Sequence, residues 1–121
     1  MKRILLIDKD HAVIDVITLI LESEGYDIYV AKKPFDIQAV SEVMPDLILM
    51  HNGLNNEGSL ICKELKADPN LSPIPLILTS TNPNIAEISK QNGADNFLIK
   101  PFDINELCDL IISTINGKQH S

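Results

Sequence analysis

The sequence predicts an α/β fold in which parallel strands form one doubly wound sheet with helices on both faces. Strand-like apolar runs alternate five times with segments whose apolar residues recur at helical spacing, the pattern of successive βαβ units. Several strands are continuous hydrophobic runs (ILLI, LILM, LIL and FLI), as expected where helices cover both faces of a sheet. With 121 residues, the chain fits a single domain over residues 1–121.

The strands are bounded by polar or turn-forming residues. The predicted strands are Arg3–Ile7, 27–31, Asp46–Met50, Ile74–Leu78 and Phe97–Ile99. Residues 27–31 are more polar than the other runs, which favours an edge of the sheet. Asp46 begins a strand at the end opposite the polar residues discussed below, which favours a structural role for its carboxylate.

The helices are marked by residues that favour their ends. Side-chain oxygens accept hydrogen bonds from the first free N–H groups, and proline suits the first turn. The expected N-terminal markers are Asp10, Pro34, Asn82 or Asn84, and Asp103. Gly25 and Gly93 are expected stops, because glycine takes the left-handed cap conformation without steric cost. The last helix is expected to run through Ile115, with residues 117–121 as a frayed tail.

Composition narrows the range of functions. A net charge of −7 argues against direct nucleic-acid binding, which normally shows a basic footprint. The longest apolar runs are far too short to span a membrane, and MKRILLID leads directly into a strand, so no signal leader is expected. Cys62 and Cys108 lie in apolar helical patterns, which predicts core packing rather than disulfide or redox chemistry. We therefore expect a cytoplasmic protein without direct contact to nucleic acid or membrane.

Four apolar runs each lead to a polar residue near the carboxyl end of a strand. These residues are Asp8, His51, Thr79 and Lys100. Open α/β sheets place their functional sites in the crevice beyond these strand ends. The sequence therefore predicts one pocket in which the four side chains meet, with Lys9 and Asp10 beside it.

The segments PDLILM, LTS and GADNFLIKPF, in this order after ILLID, resemble the receiver domain of bacterial response regulators. The resemblance covers essentially the whole chain and implies the flavodoxin-like strand order 2-1-3-4-5 and a cis bond between Lys100 and Pro101. In that family a histidine kinase donates a phosphoryl group to an aspartate, with the help of magnesium. The resemblance assigns Asp8 to the first acid, Thr79 to the phosphate-contacting hydroxyl and Lys100 to the charge-pairing lysine. It also assigns the Gly53 carbonyl to the metal.

Two pocket residues depart from the family pattern. His51 stands where the family has its acceptor aspartate, and Lys9 stands where it has the second metal-binding acid. Magnesium prefers carboxylates, carbonyls and water, so we expect weak or absent magnesium binding, no cofactor and no ordinary aspartyl phosphorylation. With a neutral imidazole, the side chains of Asp8, Lys9, His51 and Lys100 sum to a formal charge of about +1. Asp8, Asp10 and Gly53 are the residual metal candidates.

The sequence leaves the roles of several residues open. His51 either fills the pocket and hydrogen-bonds to Asp8, titrates near neutrality, or is modified or binds a metal together with Asp8 and His11. Asp10 either caps the first helix or substitutes as a phosphate acceptor. Phe97 stands where the family has its switching aromatic residue, and as an apolar ring it is expected to pack permanently.

The sequence favours a degenerate receiver (a pseudo-receiver) that acts as a protein-interaction module and not as an enzyme. The expected partners are a histidine kinase, an output protein or a second copy of the chain. The resemblance implies a docking face between the fourth and fifth helices, with Ile85, Ile88, Phe97 and Asn105. One alternative is an unconventional phospho-switch that uses Asp10 or His51. Another is a flavodoxin-like cofactor carrier, although Asp8-Lys9-Asp10-His11 offers no phosphate cradle.

Overall fold

The computed structural model describes residues 1–31, 37–53 and 56–119, with side chains up to residue 117. The strands are β1 (Arg3–Ile7), β2 (Asp27–Val30), β3 (Leu47–His51), β4 (Leu76–Ser80) and β5 (Asn96–Ile99). The helices are α1 (His11–Ser23), α2 (Gln38–Val43), α3 (Glu57–Ala67), α4 (Ile85–Asn92) and α5 (Ile104–Gln119). Strands and helices alternate along the chain, as predicted.

The five strands form one parallel sheet in the order β2-β1-β3-β4-β5, which confirms the predicted fold class and strand order. β2 lies at an edge of the sheet, as its polar character indicated. The order reverses beside β1, whose neighbours are β2 and β3. In a doubly wound sheet this reversal opens a crevice beyond the carboxyl ends of the strands, so the candidate pocket lies there.

Two strands differ from their predicted bounds: β3 ends at His51, and β4 runs from Leu76 to Ser80. β3 includes His51, which pairs in register with Thr79, so both residues belong to the sheet and do not follow it. β4 begins at Leu76 and not at Ile74, because Pro75 precedes it and the Ile74 amide bonds to the Leu71 carbonyl in a turn. The polar residues of the pocket are therefore anchored by the hydrogen-bond ladder of the sheet.

The predicted helix ends are largely confirmed. Asp10 Oδ1 accepts from the amides of Ala12 (3.0 Å) and Val13 (3.3 Å), and Asp103 Oδ1 accepts from the amide of Glu106 (2.7 Å). Gly25 and Gly93 have φ of 93° and 82° just past α1 and α4, where a side chain would be strained. Asn84 occupies the N-cap position of α4 but its side chain makes no capping hydrogen bond, and Asn82 Oδ1 accepts from the Asn84 amide at 2.9 Å. Pro34, the predicted start of the second helix, lies outside the described residues.

The last helix is longer than the sequence predicts. α5 continues past Ile115 to Gln119, so the prediction of a frayed tail is wrong for residues 117–119, and residues 120–121 are not described. Apolar periodicity ends at Ile115, and the next two residues, Asn116 and Gly117, are exposed. Helical propagation adds one hydrogen bond per residue once a helix exists, so the final turn needs no buried side chain.

The core has two layers, one on each face of the sheet. One layer joins α1 and α5 to the sheet through Ile17, Leu21, Leu107, Ile111 and Ile115. The other joins α2, α3 and α4 through Val40, Cys62, Leu65 and Ile85. Cys62 is fully buried, and its burial raises the pKa of the thiol to about 11, while Cys108 packs at the margin of the first layer. These positions support packing roles for both cysteines, as predicted.

A largely buried ion pair ties α3 to β4 and β5. Lys66 Nζ donates to Asp95 Oδ2 (2.8 Å) and to the carbonyls of Ser72 (3.0 Å) and Ile74 (2.8 Å). Asp95 Oδ2 also accepts from the Leu76 amide at 2.8 Å. The ammonium group thus satisfies backbone carbonyls of the turn before β4 as well as one carboxylate. Asp46 has a comparable structural role at the same end of the sheet, where its Oδ2 accepts from the Arg3 amide at 2.7 Å.

Candidate signalling pocket

The structure brings the predicted pocket residues together at the carboxyl ends of β1, β3, β4 and β5. Asp8 follows β1, His51 ends β3, Thr79 lies beside it in β4, and Lys100 follows β5. Asp8 and Thr79 are buried, while His51 and Lys100 are partly buried. The Lys100–Pro101 peptide bond is cis, as the resemblance implied. The crevice therefore presents a carboxylate, an imidazole, a hydroxyl and an ammonium group in one place.

Lys100 lies between Asp8 and His51. Its Nζ is 3.0 Å from Asp8 Oδ2 and 3.4 Å from His51 Nδ1. The prediction that His51 hydrogen-bonds to Asp8 is wrong, because within the described residues both groups bond to the lysine. Because an ammonium group can only donate, this contact assigns the acceptor role to His51 Nδ1, and with it the ring proton to Nε2. The contacts therefore run from the Asp8 carboxylate through the Lys100 ammonium group to the neutral His51 imidazole.

Asp8 is held in its ionised form. Burial acts to raise the pKa of its carboxyl, but the Asp10 amide and the ammonium group of Lys100 outweigh it and lower the pKa below the usual 3.8. A carboxylate that accepts such bonds contributes stability above its unfolded pKa and loses it as the pH falls through its folded pKa. The Asp8–Lys100 pair is therefore intact throughout the neutral range.

The His51 ring is held neutral. Burial lowers the pKa of the imidazole below its usual 6.5, and the positive charge of Lys100 lowers it further, against the opposing effect of Asp8. Lys9 also lowers it, which shows that the field of this second lysine reaches the ring. Protonation of Nδ1 would place two donors face to face, so the imidazole favours its neutral acceptor form.

Folding stability is expected to fall as the pH drops below about 6.5, through the range in which unfolded His51 binds a proton and folded His51 does not. This loss occurs at higher pH than any loss from Asp8, whose pKa is below 3.8. His51→Gln should remove this component of the pH dependence. The measurement is urea unfolding of both proteins between about pH 7.5 and pH 5. An equal slope in the variant would contradict the assignment to His51.

Lys9 forms an ion pair with Glu57, a contact that the sequence did not predict. Its Nζ lies 2.5 Å from Glu57 Oε2, in the first turn of α3, and both side chains are about half exposed (56% and 45%). A carboxylate at a helix N-terminus is favourable because unpaired N–H groups carry partial positive charge there. With Glu57 included, the carboxylates of Asp8 and Glu57 balance the ammonium groups of Lys9 and Lys100. The net charge of these four side chains is therefore zero, which corrects the expectation of a net positive pocket.

Asn52 is a second pocket residue that the sequence did not single out. It is buried, its Oδ1 accepts from the amide and the hydroxyl of Ser59 (both 2.9 Å), and its Nδ2 donates to Asn56 Oδ1 at 3.1 Å. These bonds fasten the N-terminal turn of α3 to the end of β3. The only advance signal is a loop of polar residues, HNGLNNEG, which does not indicate which side chain turns inward.

Gly58→Ala is expected to destabilise the protein by about 1–3 kcal/mol or more. A Cβ at this position would lie 2.6 Å from the His51 carbonyl oxygen and 2.9 Å from Asn52 Cα, and both are backbone atoms that cannot move aside cheaply. Gly117→Ala is the matched control, since nothing lies within 4 Å of its Cβ and alanine favours a helix. Urea unfolding should show the loss for Gly58→Ala alone. Equal stability of the two variants would show that α3 can shift away from the pocket.

The family is decided by sequence comparison. A model of the response regulator receiver domain matches residues 4–112, which is most of the chain. This chain belongs to the response-regulator receiver family. Receivers are signalling modules and not enzymes, and they interact with histidine kinases and output domains.

Individual relatives agree with the family match. The chain is 34% identical over 111 residues to the DNA-binding dual master transcriptional regulator RpaA of Synechocystis sp., a match that covers 88% of this chain and 46% of RpaA. The chain thus spans about half the length of this relative. The fold is similar to that of a CheY-like receiver domain protein from Methanospirillum hungatei, with a TM-score of 0.87 and 23% identity over 99% of this chain and 98% of that one.

A further solved structure contains a metal ion. The receiver domain of a sensor histidine kinase from Pseudomonas aeruginosa, solved with magnesium coordinated in its active-site cleft, is 29% identical to this chain, with a TM-score of 0.80. The similarity covers 95% of this chain and 98% of that domain. That structure makes magnesium the ion to test against the pocket of this receiver.

The residues of this receiver offer magnesium an incomplete set of ligands, since Lys9 and His51 supply no carboxylate. Asp8 accepts from the Asp10 amide and from Lys100, and Asp10 caps α1. The Gly53 carbonyl accepts from the Asn56 amide at 3.0 Å. All three residual metal candidates thus have partners within the protein. In the described part of the chain, no group of three or more His, Cys, Asp or Glu side chains could hold a metal ion, so His11 does not complete a site with Asp8 and His51.

The predicted docking face is only partly exposed. Ile85 is fully buried in the core, so its assignment to this face is wrong, and Ile88 is partly buried. Asn105 is exposed, and the Phe97 ring is 38% exposed, which contradicts the prediction that it packs permanently. Phe97 lies on β5, an edge strand with no further strand beyond it, so its ring stays near solvent. Phe97 and Ile99 on β5 and Ile104 at the start of α5 are exposed apolar residues in this region.

None of the helices in the described ranges combines the length and the apolar character needed to cross a membrane.

Proposed function

We propose that this receiver is a pseudo-receiver: a protein-interaction module of a two-component pathway that acts without aspartyl phosphorylation. The observation that supports this proposal most is His51 at the end of β3, where the family resemblance places the acceptor carboxylate. The neighbouring carboxylate, Asp8, is ion-paired to Lys100, and Asp10 is bound to the first amides of α1. No carboxylate is thus left at the acceptor position.

The charge balance of the pocket supports the same conclusion. Lys100 pairs with Asp8 and Lys9 pairs with Glu57, so the resting pocket needs neither a metal ion nor a phosphoryl group to balance its charges. Lys100 is the lysine that the family resemblance assigns to charge pairing with the phosphoryl group. Here the same lysine is already engaged on both sides, by Asp8 and by the neutral ring of His51.

The partners follow from the family and from the exposed face. We propose a histidine kinase, an output protein or a second copy of the chain as the partner, bound through Phe97, Ile99 and Ile104. Their exposed apolar surface next to Asn105 suits a partner with a small apolar patch and a polar rim. The RpaA match covers less than half of that protein, and this chain carries −7, so we propose no direct contact with DNA. A cytoplasmic location is part of the same proposal.

The alternative phospho-switch would use Asp10 or His51 as its acceptor. One oxygen of the Asp10 carboxylate, Oδ1, caps α1, so a phosphoryl group on this residue would compete with the helix cap. His51 Nδ1 contacts Lys100, so phosphorylation there would require the lysine to move. The family match also favours signalling over a flavodoxin-like cofactor carrier.

The test is treatment of the purified protein with acetyl phosphate and magnesium, followed by intact-mass spectrometry. The expected result is no added phosphoryl mass, while a receiver that has its acceptor aspartate, treated in parallel, becomes labelled. Added phosphoryl mass on the wild-type chain would contradict the proposal. In that event, loss of the label in His51→Ala or in Asp10→Asn would identify the accepting residue.

A further inference from the structure

Residue 9 lies where the family resemblance places a metal-binding carboxylate, yet its side chain ends in a cation. The Lys9 ammonium lies 4.0 Å from the position that a Cβ on Gly53 would take, and Glu57 Oε2 lies at the same distance from that point. Lys9 and Glu57 thus meet directly above the backbone segment whose carbonyl the resemblance assigned to the metal. Glu57 belongs to α3 and Lys9 to the loop after β1, so the pair links these two elements beside Gly53.

The surroundings of this ammonium group suit a cation. It faces a carboxylate from α3, and it lies close enough to His51 for its positive field to act on the imidazole. The Gly53 carbonyl is used within the chain by the Asn56 amide, and Asp8 is used by Lys100 and Asp10. The other oxygen atoms that a metal would need therefore each accept a hydrogen bond within the protein, which a metal ion would have to share or displace.

We propose that the Lys9 ammonium, held over Gly53 by Glu57, is the resident cation of this pocket and makes the domain independent of magnesium. This proposal concerns residue 9 and goes beyond the proposed function, which rests on His51. An exposed ion pair contributes little stability by itself, so the inference rests on the place the charge occupies. A divalent ion entering the pocket would meet a fixed positive charge and would lack one of its carboxylate ligands.

The experiment is a magnesium chloride titration followed by amide NMR at Asp8, Asp10 and Gly53, with sodium chloride at matched ionic strength as the reference. For the wild type, we expect shifts that do not saturate and that equal those in sodium chloride. For Lys9→Asp, we expect saturable shifts and an apparent magnesium affinity roughly tenfold tighter or more, because a repelling charge becomes a ligand.

Two further variants test the specificity of this effect. Lys63→Asp makes the same charge change at an exposed position of α3 and is expected to respond like the wild type. Glu57→Gln removes the partner of the ammonium and leaves the cation in the chain, so it too should show no saturable response. A saturable response in either variant would show that overall charge or Glu57, and not Lys9, decides magnesium binding.

Saturable magnesium binding by the wild type, or an unchanged response in Lys9→Asp, would overturn the inference. Either result would weaken the charge-balance support for the proposed function but would not overturn it, because it rests first on His51 and a metal ion can bind to a receiver that has no phosphoryl acceptor. Conversely, labelling of the wild type by acetyl phosphate would defeat the proposed function without showing which group serves as the pocket cation.

Discussion

Restoring both acids, by His51→Asp together with Lys9→Asp, is expected to give a pocket that binds beryllofluoride, a mimic of the aspartyl phosphate, in the presence of magnesium. The remaining parts are already in place: Asp8 is buried and ionised, Thr79 pairs with residue 51 in the ladder, and Lys100 reaches both strands. Each restored acid is expected to improve magnesium affinity by roughly tenfold to a hundredfold. Amide NMR would show slow, saturable changes that the wild type lacks.

The single variants separate the two contributions. His51→Asp supplies an acceptor but retains the Lys9 cation, so its beryllofluoride response should be much weaker than that of the double variant. Lys9→Asp supplies a metal ligand but no acceptor, so it should bind magnesium without responding to beryllofluoride. A double variant that folds, binds magnesium and still ignores beryllofluoride would show that the pocket has changed in more than these two residues.

Loss of the Lys66 ammonium is expected to have the largest effect on stability. Lys66→Met keeps most of the apolar stem but leaves Asp95 and the carbonyls of Ser72 and Ile74 without their charged donor. The side chains of Lys66 and Asp95 are only 14% and 19% exposed, so solvent replaces little of the lost interaction. Removing one partner of such a pair typically costs about 3–5 kcal/mol when burial is complete, and about 3 kcal/mol is expected here.

Urea unfolding measures this loss, with Lys63→Met as the matched control. Lys63 is exposed on the same helix, so its replacement should change the free energy of unfolding by no more than about 0.5 kcal/mol. A Lys66→Met variant as stable as the control would mean that water or a neighbouring side chain replaces the ammonium. The turn before β4 would then owe its conformation to Pro73 and Pro75.

The fold was predictable because the residues that define it act locally. Apolar runs covered on both faces indicate parallel strands, and Asp10, Gly25, Gly93 and Asp103 mark helix ends through bonds to nearby backbone or through glycine conformation. The errors arose where the local pattern is ambiguous. Ile74 continues the apolar run but precedes Pro75, and the last turn of α5 has no apolar pattern to reveal it.

The pocket was predictable in its members but less so in its contacts. Strand ends in a parallel sheet meet at one edge, so Asp8, His51, Thr79 and Lys100 had to lie together. The hydrogen bonds between these side chains depend on differences of a few tenths of an ångström. The periodicity of the sequence carries no information on such distances. The choice of Lys100 over Asp8 as the partner of His51 is such a case.

The sequence analysis missed two features near the pocket for the same physical reason. The Lys9–Glu57 pair and the buried Asn52 depend on how the loop after β3 turns into α3. Polar residues within a loop all favour turns, and the sequence does not distinguish those that face the pocket from those that face solvent. Gly58 gives the structural reason for this turn, because only a residue without a Cβ allows α3 to approach the His51 carbonyl so closely.

The most direct test of the central claim, that this pocket is complete without magnesium or phosphate, is an amide NMR titration of the wild-type protein with magnesium and then with beryllofluoride. The amides of Asp8, His51, Thr79 and Phe97 should remain unmoved beyond the effect of ionic strength. Saturable shifts in the pocket that extend to Phe97 on β5 would contradict the claim and would show that a phosphate-responsive switch survives in this receiver.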